Sequence, residues 1–450
     1  MELEVGDVVV RPVAHEPLEG AFTLALVGDL IYLREASPTI VRRAPELVAA
    51  LAAADLAFGN LETTLLDLET FTGAPQAESG GTWLHATPSI ADDLRTLGFD
   101  LVSLANNHSS DWGAEGLTST IESLDRAGLG HAGAGRTMRA ARAPRYLELP
   151  NGRVALVAAT STFTSMAPAA DPLGSVPGRP GVSALPVTPV PRVGEEAFAA
   201  LRSIAGSMRS HWNRDLGETV MLLRTPFRKD PSLPPGGLGL DWRVDPSART
   251  EVLRSVRQAH QNANFVIFSL HTHEPSNDSL DPAGFVPAFA RDAIDAGANV
   301  VVCHGPHQLR GIEIYRDAPI FYSLGNFAMM SNTLEAVPRE TYDSCAVDPH
   351  ADVTPAEMMT ARNRGAFGGA EMYESVLALP RFTDGRLVDL ELLPLDLGTD
   401  QQGISRGVPH VAADDVAARI AERLHALSEG FGTDIHFSGG RLRATATDLA

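Results

Sequence analysis

Short apolar runs that stop abruptly in polar residues constrain this chain most. Phe265-Val-Ile-Phe-Ser-Leu270 ends in His271 and His273, and Asn299-Val-Val-Val-Cys303 ends in His304 and His307. Each run is short and β-branched or aromatic, as expected of a strand buried on both faces in a parallel sheet. Earlier runs stop in the same way. Phe22–Val27 ends at Gly28-Asp29, Leu56–Phe58 at Gly59-Asn60-Leu61-Glu62, and Leu101–Ala105 at Asn106-Asn107-His108. Between these runs lie segments with helical character, over 41–53, 89–97, 116–127, 250–263 and 287–296. The alternation predicts an α/β fold with a parallel or mixed sheet flanked by helices. Open α/β sheets hold their ligands at strand C-termini, so the polar clusters are the expected site.

The chain has 450 residues, enough for one elaborated domain or two closely joined ones. We expect an N-terminal extension over 1–20, a main domain over 21–395 and a C-terminal extension over 396–450 with a closing helix near 411–428. Within the main domain, 165–250 breaks the strand–helix rhythm. It is Pro/Gly-rich around 166–191 and 231–237, with one helix near 195–210, and reads as a lid or an unstructured insert. Hairpins are expected over 312–323 and 374–393.

Fifty-six acidic against thirty-six basic side chains give a net charge of −20. That balance argues against nucleic acid and against an anionic membrane surface as partners. Two cysteines, Cys303 and Cys345, make no disulfide framework, and Cys303 reads as a small buried hydrophobe. Met1–Asp7 has neither a basic nor an apolar leader segment, and no apolar run approaches a membrane span, so a cytoplasmic protein is expected.

The ordered motifs, closed by Ser323-Leu-Gly-Asn-Phe327, resemble those of CapA-like proteins, named for poly-γ-glutamate capsule synthesis, within the calcineurin-like metallophosphoesterase superfamily. The likeness covers roughly 22–135 and 250–330 and weakens toward 395. It implies a four-layer α/β/β/α sandwich with a metal centre at the strand ends. By position it assigns Asp29 to the first-motif carboxylate, Asn107 and His108 to the third motif, His271 to the fourth, and His304 and His307 to the fifth. Two positions depart from the pattern: Ile31 stands where the family has a histidine, and Asn60 where it has a bridging aspartate. Loss of that bridging charge predicts one divalent ion held mainly by oxygen from Asp29, Asn60, Glu62 and Asn107. Ca, Mg or Mn then comes ahead of Zn or Fe.

His108, Asp111, His271, His273, His304 and His307 are the expected acid–base groups, because imidazole moves protons near neutral pH. Several residues also have plainer readings. Asp29 suits a turn cap, Asn106 and Asn107 suit turns, and Asp111 suits a helix cap or a partner of His108. Ser323 and Asn326 read as structural, closing the floor of the site. His131 is a lone loop histidine, and Arg224, Arg228 and Lys229 read as a solvated loop. Three functions follow. The first is Cα epimerisation of a ribosomally made peptide such as a lasso-peptide precursor, a reaction found within the CapA-like group. The second is metal-dependent hydrolysis of a phosphoester or of an amide or γ-glutamyl peptide. The third is non-catalytic binding of a peptide or poly-glutamate.

Overall fold

The computed structural model describes residues 15–76, 82–208, 210–398 and 400–446, with two short strands Leu3–Val5 and Val8–Val10 before them. Most of the N-terminal extension expected over 1–20, including much of Met1–Asp7, lies outside the described residues.

Two sheets form the centre of the molecule. The larger has ten strands. In space its main path runs Thr433–Ser438, Arg441–Ala446, Arg386–Asp396, Glu374–Thr383, Ala21–Ile31, Leu56–Leu61, Leu101–Ser103 and Gly130–Ala132, and Asn326–Met329 lies beside the end of Ala21–Ile31. The smaller has six strands, in the order Arg145–Leu149, Gly152–Thr160, Phe265–His271, Val300–His304, Ala318–Phe321 and Ile312–Tyr315.

Side chains alternate across each strand, so every central strand feeds two cores. Leu24 and Leu26 join Phe58, Leu156, Ile267 and Val302 in the layer between the sheets. Ala25 and Val27 face outward onto Leu47, Leu51, Leu94 and Leu117 of the helices covering the large sheet. Val266, Phe268 and Val301 face the other way, onto Val252 and Val256 of the helix Pro246–Asn262 and Phe289 of the helix Phe285–Asp295. The result is the four-layer α/β/β/α sandwich. Among the described residues, no helix is long and apolar enough to cross a membrane.

Three segments differ from the sequence expectation. The helix expected over 41–53 is two helices, Ser37–Arg43 and Pro45–Ala53. Pro45 has no N–H to donate, and it drives the preceding Ala44 out of helical geometry. The 165–250 insert is folded. Five short strands and the helix Glu195–Ser207 enclose a small core of Val193, Phe198, Ala205 and Val220. The C-terminal segment is built into the main domain: its hairpin extends the large sheet, and Ile420 and Leu424 of the helix Asp414–Glu429 pack into the inter-sheet core.

One close approach sets the position of the site. Gly28 lies so near the backbone of Gly325 that a Cβ there would overlap the Gly325 carbonyl oxygen. That carbonyl accepts the backbone N–H of Asp29 at 3.1 Å. Gly28→Ala must therefore push the Asn326–Met329 strand away from Asp29. Overpacking of this kind costs about 1–3 kcal/mol. A urea denaturation midpoint equal to that of the parent would contradict this reading of the contact.

Candidate metal centre

Strand register assembles the polar ends. In the large sheet Asp29 pairs in register with Asn60 on one side and Asn326 on the other. In the small sheet His271 pairs directly with His304. The inter-sheet core holds these two edges together. Asp29, Glu62, Asp111, His271 and His304 are fully buried, Asn107, His108 and His307 nearly so, and His273 is partly exposed.

Six of these side chains form two triads, Asp29 with His271 and His304, and Glu62 with His273 and His307. Within each triad the ligand-capable atoms lie within 4.8 Å of one another. The triads adjoin through His271. Its Nδ1 is 3.0 Å from Nδ1 of His304, and its Nε2 is 3.0 Å from Nε2 of His273. Nitrogen atoms facing each other at that distance, beside carboxylates, form a donor set that could hold a cation.

The electrostatics agree. Burial opposes ionisation of Asp29, but the imidazoles of His307, His304 and His271 outweigh it and hold the carboxyl well below the usual range. Asp29 is further held by hydrogen bonds from Asn60 Nδ2 at 2.8 Å and from the backbone N–H of Gly305 at 3.0 Å. Gly305 aims that N–H from a backbone with φ 120°, open to glycine and rare for other residues. Glu62 has no such support. Neither of its carboxylate oxygens accepts a hydrogen bond from a described donor, and burial, then the nearby Asp29, pushes its pKa well above the ordinary range. A cation between Glu62 and its imidazoles would supply the missing partner. Burial pushes His304 and His273 down to about 4 and His271 well below its ordinary value, so their ring nitrogens keep free lone pairs at neutral pH.

Outer contacts decide which nitrogen faces inward. Asn326 Nδ2 donates to the carbonyls of His307 and Met372, which turns its Oδ1 toward His307 Nδ1 at 3.0 Å. That nitrogen must therefore carry the proton, which leaves Nε2 bare. His307 sits at φ 62°, a strained conformation for a residue with a side chain. Ser269 Oγ meets His304 Nε2 at 2.6 Å, and Asn277 Oδ1 meets His273 Nδ1 at 2.6 Å. The loop carrying Asn277 is tied down by the buried Arg310, whose guanidinium donates to the carbonyls of Glu274, Ser276 and Ser279. At the rim, His108 Nδ1 is 2.7 Å from Asp111 Oδ2, an oxygen that also accepts the Leu84 N–H at 2.8 Å. Burial pushes His108 down to about 3 and Asp111 well up, so both are drawn toward their uncharged forms.

The geometry revises two expectations. Asn60 turns its amide nitrogen toward Asp29 and its oxygen toward Asn106 Nδ2, so it reaches the centre as a donor and offers no ligand oxygen. The expected oxygen-rich set becomes two sets of two imidazoles and one carboxylate, because the small sheet contributes ring nitrogens to both. Such sets suit Zn or Fe better than Ca or Mg. The other candidates lie elsewhere. Asn106 braces the turn by bonding Asn60 and Leu61, His131 pairs with Asp125, and Ser323 Oγ accepts the Gly325 N–H. Within the insert Arg224 lies over Trp212, Arg228 pairs with Asp241 and Lys229 with Glu195. Asn107 and His108 line a cavity of about 170 Å³ beside the second triad. Arg362, Phe367 and Thr162 line it too, and no motif or spacing in the sequence marks any of the three.

Residues 23–331 match the family described as bacterial capsule synthesis protein PGA_cap. The chain belongs to that family. The Sinorhizobium fredii protein y4sH is 41% identical over 425 residues, which is 92% of this chain and 91% of that protein. Capsule biosynthesis protein CapA of Bacillus anthracis is 25% identical over 323 residues, 71% of this chain and 62% of that protein. A probable polyglutamine synthesis accessory protein of Mycobacterium tuberculosis is 26% identical over 348 residues, 76% of this chain and 66% of that protein. Among solved structures, a Mycoplasma pneumoniae phosphatase aligns with a TM-score of 0.37 and 11% identity over 86% of this chain and 98% of its own. The motifs that place this PGA_cap chain's triads all fall inside the 23–331 match.

In the metal-free PGA_cap chain the imidazoles of His304 and His273 should titrate near pH 4 rather than near 6.5. Lowered values mean that the neutral, ligand-competent rings persist as pH falls from 7 to about 5 and are protonated only below that. Nitrogen-15 imidazole spectra across pH 3–8 measure this directly, and titration of both rings near 6.5 would show that the strand ends are open to water.

Proposed function

We propose that this chain is a metal-dependent hydrolase with two adjacent divalent ions, acting on an amide bond of a peptide or glutamyl chain. The observation that carries this reading is the pair of carboxylate–imidazole triads meeting at His271. Asp29, His271 and His304 would hold one ion, and Glu62, His273 and His307 the other. Each triad has its own carboxylate, so charge does not depend on the bridging aspartate that Asn60 replaces. Divalent ions so placed supply Lewis acidity and make water a nucleophile near neutral pH. His108 lines the cavity with Nδ1 engaged by Asp111 and Nε2 3.9 Å from Glu62, and it is the group that would pass a proton to the leaving nitrogen. The glutamyl substrate class rests on relatives named for capsule biosynthesis and polyglutamine synthesis.

Epimerisation of a peptide Cα is the second reading. It is favoured by the cavity of about 170 Å³, which has room for a single side chain. It needs proton transfer on two opposite faces. With both triads filled, the His108–Asp111 couple is the acid–base pair that remains at the cavity.

The chain should hold two ions after reconstitution with Zn²⁺ or Mn²⁺, and Glu62→Gln should retain one. α- and γ-linked glutamyl peptides incubated with the loaded protein in ¹⁸O-labelled water should be cleaved with label entering one product. Elemental analysis and mass spectrometry read both results. Intact peptide that gains one deuterium at Cα in D₂O would replace hydrolysis with epimerisation, and no bound metal in any preparation would remove both.

A further inference from the structure

Arg362 and Phe367 lie beyond residue 331, where the family match stops, yet both line the cavity beside the second triad. Arg362 is on the helix Pro355–Ala366, which begins with a complete capping box between Thr354 and Glu357. Asn363 of the same helix donates to Ser331 Oγ at 2.9 Å and so ties the helix to the end of the matched region. The Arg362 guanidinium lies 5.7 Å from the Phe367 ring centroid, and that ring meets the His307 imidazole edge-on at 5.5 Å. A continuous contact therefore runs from a proposed metal ligand to a cation.

This cation lacks a counter-charge. Among the described residues no carboxylate lies within 4.0 Å of Arg362, and its one hydrogen bond is a long one, 3.4 Å, to the amide oxygen of Asn363. Other arginines of this chain, which carries 56 acidic side chains, do have such partners, Arg228, Arg419 and the part-buried Arg192 and Arg423 among them. Burial also depresses the Arg362 pKa, a cost that Cys345 offsets only in part. A half-buried guanidinium facing a cavity is a fork with its acceptor missing.

We infer that Arg362 binds a carboxylate of the substrate and thereby restricts the site to anionic peptides such as glutamyl chains. This rests on the catalytic reading above and names the substrate group that it left open. A carboxylate fits better than a phosphoryl group. One guanidinium matches one negative charge; it is the only Arg or Lys among the lining residues, which also include the apolar Ile31, Leu84, Met329 and Phe367. Bidentate pairing with the planar fork fixes orientation as well as affinity, so the bond to be cleaved would be held at a set distance from the triads.

Binding of N-acetyl-glutamate and of its side-chain amide, N-acetyl-glutamine, to the metal-loaded full chain tests the assignment by calorimetry. The parent should prefer the diacid. Arg362→Met should weaken diacid binding by about 10- to 100-fold, the usual value of a charge-assisted pair, while metal content and melting temperature stay unchanged. Arg362→Lys, which keeps the charge and loses the fork, should fall between the two. Equal binding of the diacid by the parent and Arg362→Met overturns the inference. So does inorganic phosphate that displaces the diacid and itself loses affinity in Arg362→Met, since the site would then be a phosphoryl site. If no peptide is cleaved but the diacid still depends on Arg362, the carboxylate site stands and the hydrolase reading fails.

Discussion

Two buried carboxylates with too few donors govern the organisation of this molecule. Asp29 and Glu62 are both fully enclosed, and an enclosed carboxylate costs several kcal/mol unless it is hydrogen-bonded, paired or neutralised. Asp29 receives an amide from Asn60 and a backbone N–H from Gly305, and three imidazoles surround it. Among the described residues Glu62 receives no hydrogen bond, and burial and the neighbouring Asp29 drive it toward its protonated form. The features that look costly in isolation support this arrangement: the crowding of Gly28 against Gly325, the positive φ of Gly305 and the left-handed backbone of His307. Each places a donor or a ring nitrogen where a charge would otherwise lack a partner.

Neither sheet contains a site by itself. The large sheet supplies the carboxylates and the His108–Asp111 couple, and the small sheet supplies His271, His273, His304 and His307. The shared core of Leu24, Phe58, Leu156 and Ile267 brings the two edges together. Metal binding is therefore linked to packing of the sandwich. Ions that bind only the assembled triads stabilise the folded chain in proportion to their affinity and free concentration. They also bias the two sheets toward a single relative position, because a shift of one sheet would separate the carboxylate of each triad from its imidazoles.

The strand ends were legible in the sequence because they follow from local rules. A short apolar run that stops in polar residues is a buried strand, and the alternation with helices orders the sheet. That reasoning located Asp29, Glu62, His108, Asp111 and the four histidines of the small sheet. It could not assign their roles. Whether His307 offers Nδ1 or Nε2 depends on Asn326, nineteen residues away, whose orientation depends in turn on the carbonyl of Met372. Asn60 looked like a weakened ligand because its amide direction is set by Asn106 across the sheet. Arg362 carried no local mark at all, since its meaning comes from a cavity built by many separated segments of the chain. The insert misled for a different reason. Its strands are short and carry prolines, as at Pro189 and Pro191, so they lack the long apolar runs that identify the central strands.

The donor count also bears on which chemistry the site can support. Six imidazoles and carboxylates are drawn into the triads, and three of the rings are pinned by an outer partner, His304 by Ser269, His273 by Asn277 and His307 by Asn326. A ring so held makes a good ligand and a poor shuttle, since moving its proton would break the contact that orients it. His108 differs. Its partner Asp111 is itself held by the Leu84 N–H, and burial draws both groups toward their uncharged forms, so a proton that the ring gives up at Nε2 can be replaced at Nδ1 from the carboxyl. One mobile proton at the cavity wall suits protonation of a single leaving group. Inversion at carbon would require a second such group, and the other two imidazoles lining the cavity, His273 and His307, are both proposed metal ligands.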